Sequence, residues 1–306
     1  MGTSDMNVVT GAFGFSGRCI ARKLLASGES VLTLTSRAGD DPEFAGKITV
    51  APFNFDAPDR LTESLRGADI LYNTYWIRFA RGEKTFARAV ENSRILIKAA
   101  KDAGVRKIIH VSIANPSLDS PLPYYRGKAL VEQAIIESGL SHAILRPAVL
   151  FGDQGILVNN IAWFLRHLPV FAAPGDGEYR MQPIFVEDLA EMAVDYAARD
   201  DNVIVDAVGP EKHTFNEWLQ LIAKAVGRKP IVLHLRPELV IIATGLIGRA
   251  AGDVVLTRDE AKGLMANLLV SDQPPTAPSR LSDWLRENSS WLGTTYMSEL
   301  KKHYRM

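Results

Sequence analysis

Three features of the 306-residue chain predict an α/β fold, a doubly wound parallel sheet followed by a smaller second lobe. Strand-like and helix-like segments alternate for about the first 150 residues, which is the pattern of parallel strands joined by helical crossovers. The first strand-like run stops at three glycines spaced three apart, with a helical pattern directly behind them. Beyond Phe151 the rhythm loosens into apolar helices separated by short extended pieces and proline-containing loops.

The first strand is the β-branched run Val8-Val9-Thr10, and the glycines are Gly11, Gly14 and Gly17. From Arg18 to Ser27, Cys19, Ile20, Leu24 and Leu25 recur at helical spacing. Strand, glycine turn and helix in that order are what a dinucleotide site needs. The first glycine makes the tight turn, the second lets backbone approach a pyrophosphate, and the third lets helix and strand pack closely. The helix start then offers N–H groups and a positive dipole end to phosphate. Phe13 and Phe15 lie within this cradle and count among the cofactor-binding positions, although their rings read as packing aromatics.

Further strands are predicted at 30–35, 48–50, 69–74, 107–112 and 142–145. Asp56 and Pro58 open a helix to Leu65, with proline suited to the first turn. Longer helices are predicted over 83–103, closed by Gly104, and over 124–138, closed by Gly139. In the second lobe, helices are expected at 156–168, 186–198 and 216–226, with at least one strand, near 203–205, returning to the sheet. The expected division is a Rossmann-type NAD(P)-binding domain over 1–152 and a substrate-binding lobe over 153–306. The segment 271–280 reads as a loop, and a surface helix is expected around 297–304.

Composition narrows the functional classes. Formal net charge is zero and no basic block or stripe is present, which argues against a nucleic-acid or anionic-membrane surface. Cys19 is the single cysteine, so no internal disulfide can form, and this fits a reducing compartment. The most apolar later run, Leu239 to Ile247, is shorter than a membrane span and meets Arg249. No secretory signal pattern is read, and the expected location is cytoplasmic. The histidines form no cluster with Cys or Asp at metal-ligand spacing, so no metal is expected.

Two groups of residues carry chemistry. At the end of the second strand, where an acid would bind a ribose diol, the chain has Ser36-Arg37. A hydroxyl and a guanidinium suit a 2′-phosphate, so NADP is expected, with NAD as the alternative if Asp40 or Asp41 serves the ribose. The second group is Tyr124-Tyr125-Arg126-Gly127-Lys128. Tyr124 and Lys128 share a helix face, and an ammonium beside a phenol stabilises the phenolate. Such a tyrosine exchanges a proton with an alcohol or ketone while hydride moves at a nicotinamide. Ser112, at a strand end, is placed to bond the same substrate oxygen. Tyr125 stays open as a rival to Tyr124.

These motifs resemble the short-chain dehydrogenase/reductase superfamily of the extended or atypical kind, labelled NAD(P)-dependent epimerase/dehydratase-like. NmrA-like proteins and an accessory subunit of respiratory complex I are among the relatives implied. The resemblance rests on the segments 11–17 and 111–112, Asp56, the Tyr124/Lys128 pair, Leu145 to Gly152 (Leu-Arg-Pro-Ala-Val-Leu-Phe-Gly) and Phe185 to Ala190 (Phe-Val-Glu-Asp-Leu-Ala). It implies Tyr124 as acid/base, Lys128 as the group that lowers its pKa and binds the nicotinamide ribose, and Ser112 as substrate-orienting. It implies adenine contact from Asp56, cofactor passage along Asn73 and Thr74, and carboxamide contact from the backbone at Pro147 and Val149. Two departures stand out. Tyr75-Trp76 follows Asn73-Thr74 where the family has small residues, and the relay asparagine position falls near Ala89, a turn before Asn92.

The function expected is therefore reduction of a carbonyl or oxidation of an alcohol by an NADP-dependent enzyme, with an apolar or aromatic small molecule as substrate. The alternative is an NAD(P)-binding redox sensor or assembly protein with little turnover, and a second alternative is an epimerase or dehydratase. The helices 83–103 and 124–138 make a homodimer plausible by resemblance.

Overall fold

The computed structural model describes residues 6–36 and 41–303. In chain order the elements are β1 (Met6–Thr10), α1 (Phe15–Ala26), β2 (Ser30–Leu34), β3 (Thr49–Ala51), α2 (Pro58–Leu65), β4 (Ala68–Asn73), α3 (Phe86–Ala103), β5 (Lys107–Val111), α4 (Pro123–Ser138) and β6 (Ser141–Pro147). They continue through β7 (Val149–Phe151), α5 (Ile156–His167), β8 (Val170–Pro174), β9 (Arg180–Met181), β10 (Pro183–Phe185), α6 (Val186–Ala197) and β11 (Val203–Ala207). The last are β12 (His213–Thr214), α7 (Phe215–Ala225), β13 (Ile231–Leu235), α8 (Pro237–Ala251), α9 (Arg258–Met265), α10 (Leu281–Glu287) and α11 (Glu299–His303).

Two compact units result: residues 1–147 with 186–207, and residues 148–185 with 208–306. The first is the doubly wound α/β unit. Its seven strands run in the order β11-β6-β5-β4-β1-β2-β3, every pairing parallel. The order reverses between β1 and β4, which is where open α/β sheets bind ligands. The central strands are buried on both faces, so they read as apolar runs rather than alternating ones. Leu34, Leu71, Ile108 and Ile144 are completely buried in this core together with Leu61, Leu65 and Leu96 from the helices.

Helix boundaries follow local chemistry. Helix α3 starts at Phe86, three residues later than the spacing predicts, because the Thr85 hydroxyl accepts the N–H of Arg88 and caps it. Gly104 and Gly139 end α3 and α4 in the left-handed conformation.

The returning segment 186–207 is fastened to the first unit in three ways. Strand β11 pairs with β6 in register from Val203↔Ala143 to Ala207↔Pro147. Helix α6 packs on α1, where Arg22 meets Glu187 at 2.9 Å. Lys107, fully buried in β5, donates its Nζ to the carbonyls of Arg199 at 2.6 Å and Asp201 at 3.0 Å. A lysine in a central strand carries no sequence signal for this task.

The second unit centres on α5 and α7, whose Val158, Leu165, Trp218 and Ile222 meet Phe151, Leu281 and Leu285. Thr214 and Glu217 close a capping box on α7, and Thr257 and Glu260 close another on α9. The short ladders β7–β10, β8–β13 and β9–β12 join the pieces that read as irregular in sequence. Strand β13 and helices α8, α9 and α10 are additions to the sequence-level reading.

Replacing Lys107 by methionine fills a similar volume but leaves two carbonyls unpaired, so Lys107→Met lowers stability by about 1–3 kcal/mol. Urea unfolding checks this, and a variant as stable as the parent would show that the two carbonyls find other partners.

Candidate functional site

The site begins where β1 ends. Gly11 has φ +68° and donates its N–H to Leu34 O at 2.8 Å, and Gly14 donates to Gly11 O at 2.8 Å. A Cβ on Gly17 would stand 2.4 Å from Gly11 O, closer than any side chain tolerates, so only glycine lets α1 lie this near β1. Helix α1 has no side-chain cap at Gly14. Its first-turn N–H groups are a ready anion site. Phe13 is buried and stacks on Phe44 at 6.3 Å, while Phe15 is half-buried at the first helical position.

The neighbouring strand is locked to this turn. Thr10 Oγ1 accepts the N–H of Thr74 at 2.7 Å and donates to Asn73 Oδ1 at 3.3 Å, and Asn73 Oδ1 also accepts the N–H of Tyr75 at 3.1 Å. Asn73 is fully buried, yet its Nδ2 has no hydrogen-bond partner. Asn73 and Thr74 thus lie beside the glycine turn.

On the other side of the turn is a cavity of about 460 Å³ lined by Ser36, Phe53, Phe55, Asp56, Arg88 and Asn92, among others. Phe53 and Phe55 stack at 4.9 Å, and Tyr75 packs against both at 5.1 Å. Asn92 is buried and donates Nδ2 to the Tyr75 hydroxyl at 2.8 Å, which leaves its Oδ1 an unpaired acceptor. Asp56 is almost wholly exposed and pairs with Arg88 at 3.0 Å. An aromatic-walled cavity with an unpaired acceptor suits a flat base, and the whole set fits a dinucleotide: glycine cradle for phosphate, aromatic cavity for adenine. Arg37 and Asp40 lie outside the described residues. Asp41, the other acid able to serve a ribose, is bound to the buried guanidinium of Arg18, which Glu43 holds as well.

The tyrosine–lysine helix lies on the far side of β5. Tyr124 is half-buried and Tyr125 buried. Tyr124 meets Trp76 and Phe86 edge-on at 6.0 and 5.8 Å. Lys128 is 3% exposed, lies 4.9 Å over the Trp76 ring and donates Nζ to Val111 O at 2.8 Å. Burial pushes its ammonium down to about 7, against the opposing pull of Glu132. Ser112 donates its hydroxyl to Glu132 Oε1, and Arg146 grips the same carboxylate, its Nε at 3.0 Å. Trp76 packs so tightly on α4 that a Cβ on Gly127 would be 2.8 Å from its ring.

Glu132 and Arg146 are the partners that sequence reasoning missed. The spacing of Lys128 and Glu132, four apart on one helix, is the signal that exposes the first; Arg146 has none. The position near Ala89 expected for a relay asparagine is buried and apolar, and Asn92 bonds Tyr75 instead. Pro147 closes β6, its carbonyl accepting the N–H of Ala114 at 2.8 Å, whereas Val149 belongs to the second unit, where it pairs with Pro183. Among the described residues no three His, Cys, Asp or Glu side chains converge on a metal position.

Residues 11–161 match the model of a family described as NAD(P)H-binding. The chain is 25% identical over 239 residues to subunit 9 of the NADH dehydrogenase (ubiquinone) 1 alpha subcomplex, mitochondrial, of Arabidopsis thaliana, covering 74% of this chain and 59% of that protein. It spans 64% of the Dictyostelium discoideum protein of the same name, at 28% identity over 72% of this chain. A photosystem II assembly factor of Cyanophora paradoxa is 29% identical over 153 residues, 49% of this chain and 46% of its own. Among solved structures, an NADPH-dependent quinone oxidoreductase of Escherichia coli in complex with NADPH aligns with TM-score 0.74 at 20% identity, over 93% of this chain and 98% of its own. A nucleoside-diphosphate-sugar epimerase of Staphylococcus aureus aligns with TM-score 0.73 at 17% identity, over 92% and 99%. These two likenesses are of fold.

The buried lysine makes a testable prediction. An unfolded lysine titrates near 10.4, so between pH 7 and 10 the unfolded chain binds the proton more tightly and stability from this group rises with pH. Lys128→Met therefore stabilises the protein at pH 7, by about 1–4 kcal/mol, and the advantage shrinks toward pH 10. Urea unfolding at several pH values measures it. An advantage independent of pH would mean that Lys128 does not titrate in this range.

Proposed function

Taking the first unit as an NAD(P)-binding domain, we propose that the protein binds the dinucleotide as a redox sensor or assembly protein, with little turnover of its own. One observation carries the reading: the two groups that would support a catalytic tyrosine are already engaged. The Ser112 hydroxyl is given to the Glu132–Arg146 pair, and the Lys128 ammonium is held on Val111 O beneath Trp76. A lysine must be charged to stabilise a phenolate, and burial has brought this one to about 7. The relatives named as a subunit of a larger complex and as an assembly factor support the same direction.

For the dinucleotide, the N–H groups at the start of α1 would hold the pyrophosphate, and Phe53, Phe55 and Asn92 would hold the adenine. Ser36 and Arg37 would read a 2′-phosphate. With Asp41 committed to Arg18, the phosphorylated cofactor is favoured over NAD. When bound, the cofactor supplies hydride chemistry at its nicotinamide.

A second reading, reduction of a flat apolar carbonyl compound, is favoured by the aromatic wall of Trp76 and Phe86 around Tyr124. Titration with NADPH and NADH, followed by tryptophan quenching, combined with a turnover assay on quinones separates the two. Tight NADPH binding, weak NADH binding and background turnover that Tyr124→Phe leaves unchanged are expected. Turnover that falls by about a hundredfold or more in Tyr124→Phe gives the site to catalysis. Binding of neither nucleotide by folded protein removes both readings.

A further inference from the structure

The second unit leaves an organised apolar surface uncovered. Helix α8 shows Leu239, Ile242 and Leu246 at 51%, 61% and 62% exposure, at spacings of three and four that place them on one stripe. Its opposite side is the buried one, with Val240 and Gly248 packed inward. Helix α8 packs beside β8, which pairs with β13 from Val170↔Ile231 to Pro174↔Leu235. On this ribbon Phe171 and Val232 face the core of the unit. Alternation therefore turns Val170, Ile231 and Leu233 to the other face, at 37%, 62% and 44% exposure. Isolated exposed apolar residues need no explanation, but a helix stripe beside a strand face does.

Charge around this surface selects its partner. Arg228 and Lys229 precede β13, Arg236 is the N-cap of α8, and Arg249 lies in its last turn on the Leu239–Leu246 stripe; all four are exposed. Over residues 228–252 these four cations meet a single acid, Glu238, in a chain whose net charge is zero. We propose that the α8–β13 face lies in the plane of an anionic membrane surface. The leucine and isoleucine side chains enter the acyl boundary while Arg236 and Arg249, at either end of the helix, reach lipid phosphates. At 15 residues α8 is about 22 Å long, short of the hydrocarbon thickness, so it lies along the interface. No helix among the described residues is long and apolar enough to cross a membrane.

Flotation of the full chain with vesicles tests the proposal, using phosphatidylcholine mixed with phosphatidylglycerol and phosphatidylcholine alone. The protein is expected to float with the anionic vesicles, less so as salt rises, and not with the neutral ones. The double change Arg236→Gln/Arg249→Gln is expected to weaken vesicle affinity about 30-fold. Ile242→Glu/Leu246→Glu, at positions more than half exposed, is expected to abolish flotation with an unchanged thermal melt. Flotation with neither vesicle, equal flotation with both, or undiminished flotation of the Ile242→Glu/Leu246→Glu protein would overturn the proposal. So would a dimer that this double variant dissociates in protein that does not bind vesicles, since a second copy would then cover the face.

Discussion

The first unit depends on one close approach, that of helix α1 to the end of strand β1. No Cβ fits between Gly17 and Gly11 O, and the missing atom is what brings the helix start over the strand end. Everything at the nucleotide end follows from that contact. The N–H groups of α1 point at the switch in strand order, and Thr10, the last residue before the turn, ties Asn73 and Thr74 of the next strand into place. An absent side chain thus sets α1 against β1, and the bonds of Thr10 set the end of β4 beside them.

The far end of the site is governed by burial rather than by close approach. Trp76 covers α4 at Gly127 and shuts Lys128 away from water. The charge is then costly, and the protein answers with a carbonyl acceptor and a shifted proton equilibrium. Ser112 lies in the same dry layer and shares Glu132 with Arg146, a buried carboxylate that needs both donors. Residue types associated with catalysis are here engaged in two sets of polar contacts, Lys128 with Val111 and Ser112 with Glu132 and Arg146. A side chain's identity sets what chemistry it is able to do; its partners decide whether it is available.

The second unit shows the reverse economy. Its core is built from aromatic and aliphatic side chains of α5 and α7, and α7 and α9 carry capping boxes, yet it presents leucine and isoleucine to the outside along α8 and β13. Exposed apolar residues of this extent, flanked by cations, are what the proposed membrane contact would cover.

The sequence by itself determined the α/β class, the places of the first six strands along the chain and the glycine turn after β1, because these rest on local rules: β-branched runs, glycine spacing, helix caps and hydrophobic period. Lys128 and Asn92 were visible as residues, but not their engagement. The bonds from Lys128 to Val111 and from Ser112 and Arg146 to Glu132, and the packing of Tyr75 on Phe53 and Phe55, join residues 14 to 22 positions apart through strands and helices that only the folded sheet brings together. The bonds from Lys107 to the carbonyls of Arg199 and Asp201 likewise span more than 90 positions and exist only in the tertiary structure. The short strands of the second unit escaped detection because ladders of two to five residues carry too little periodicity to outweigh the prolines and glycines beside them. Local periodicity specified the elements; long-range burial decided which charges and hydroxyls remain available for chemistry.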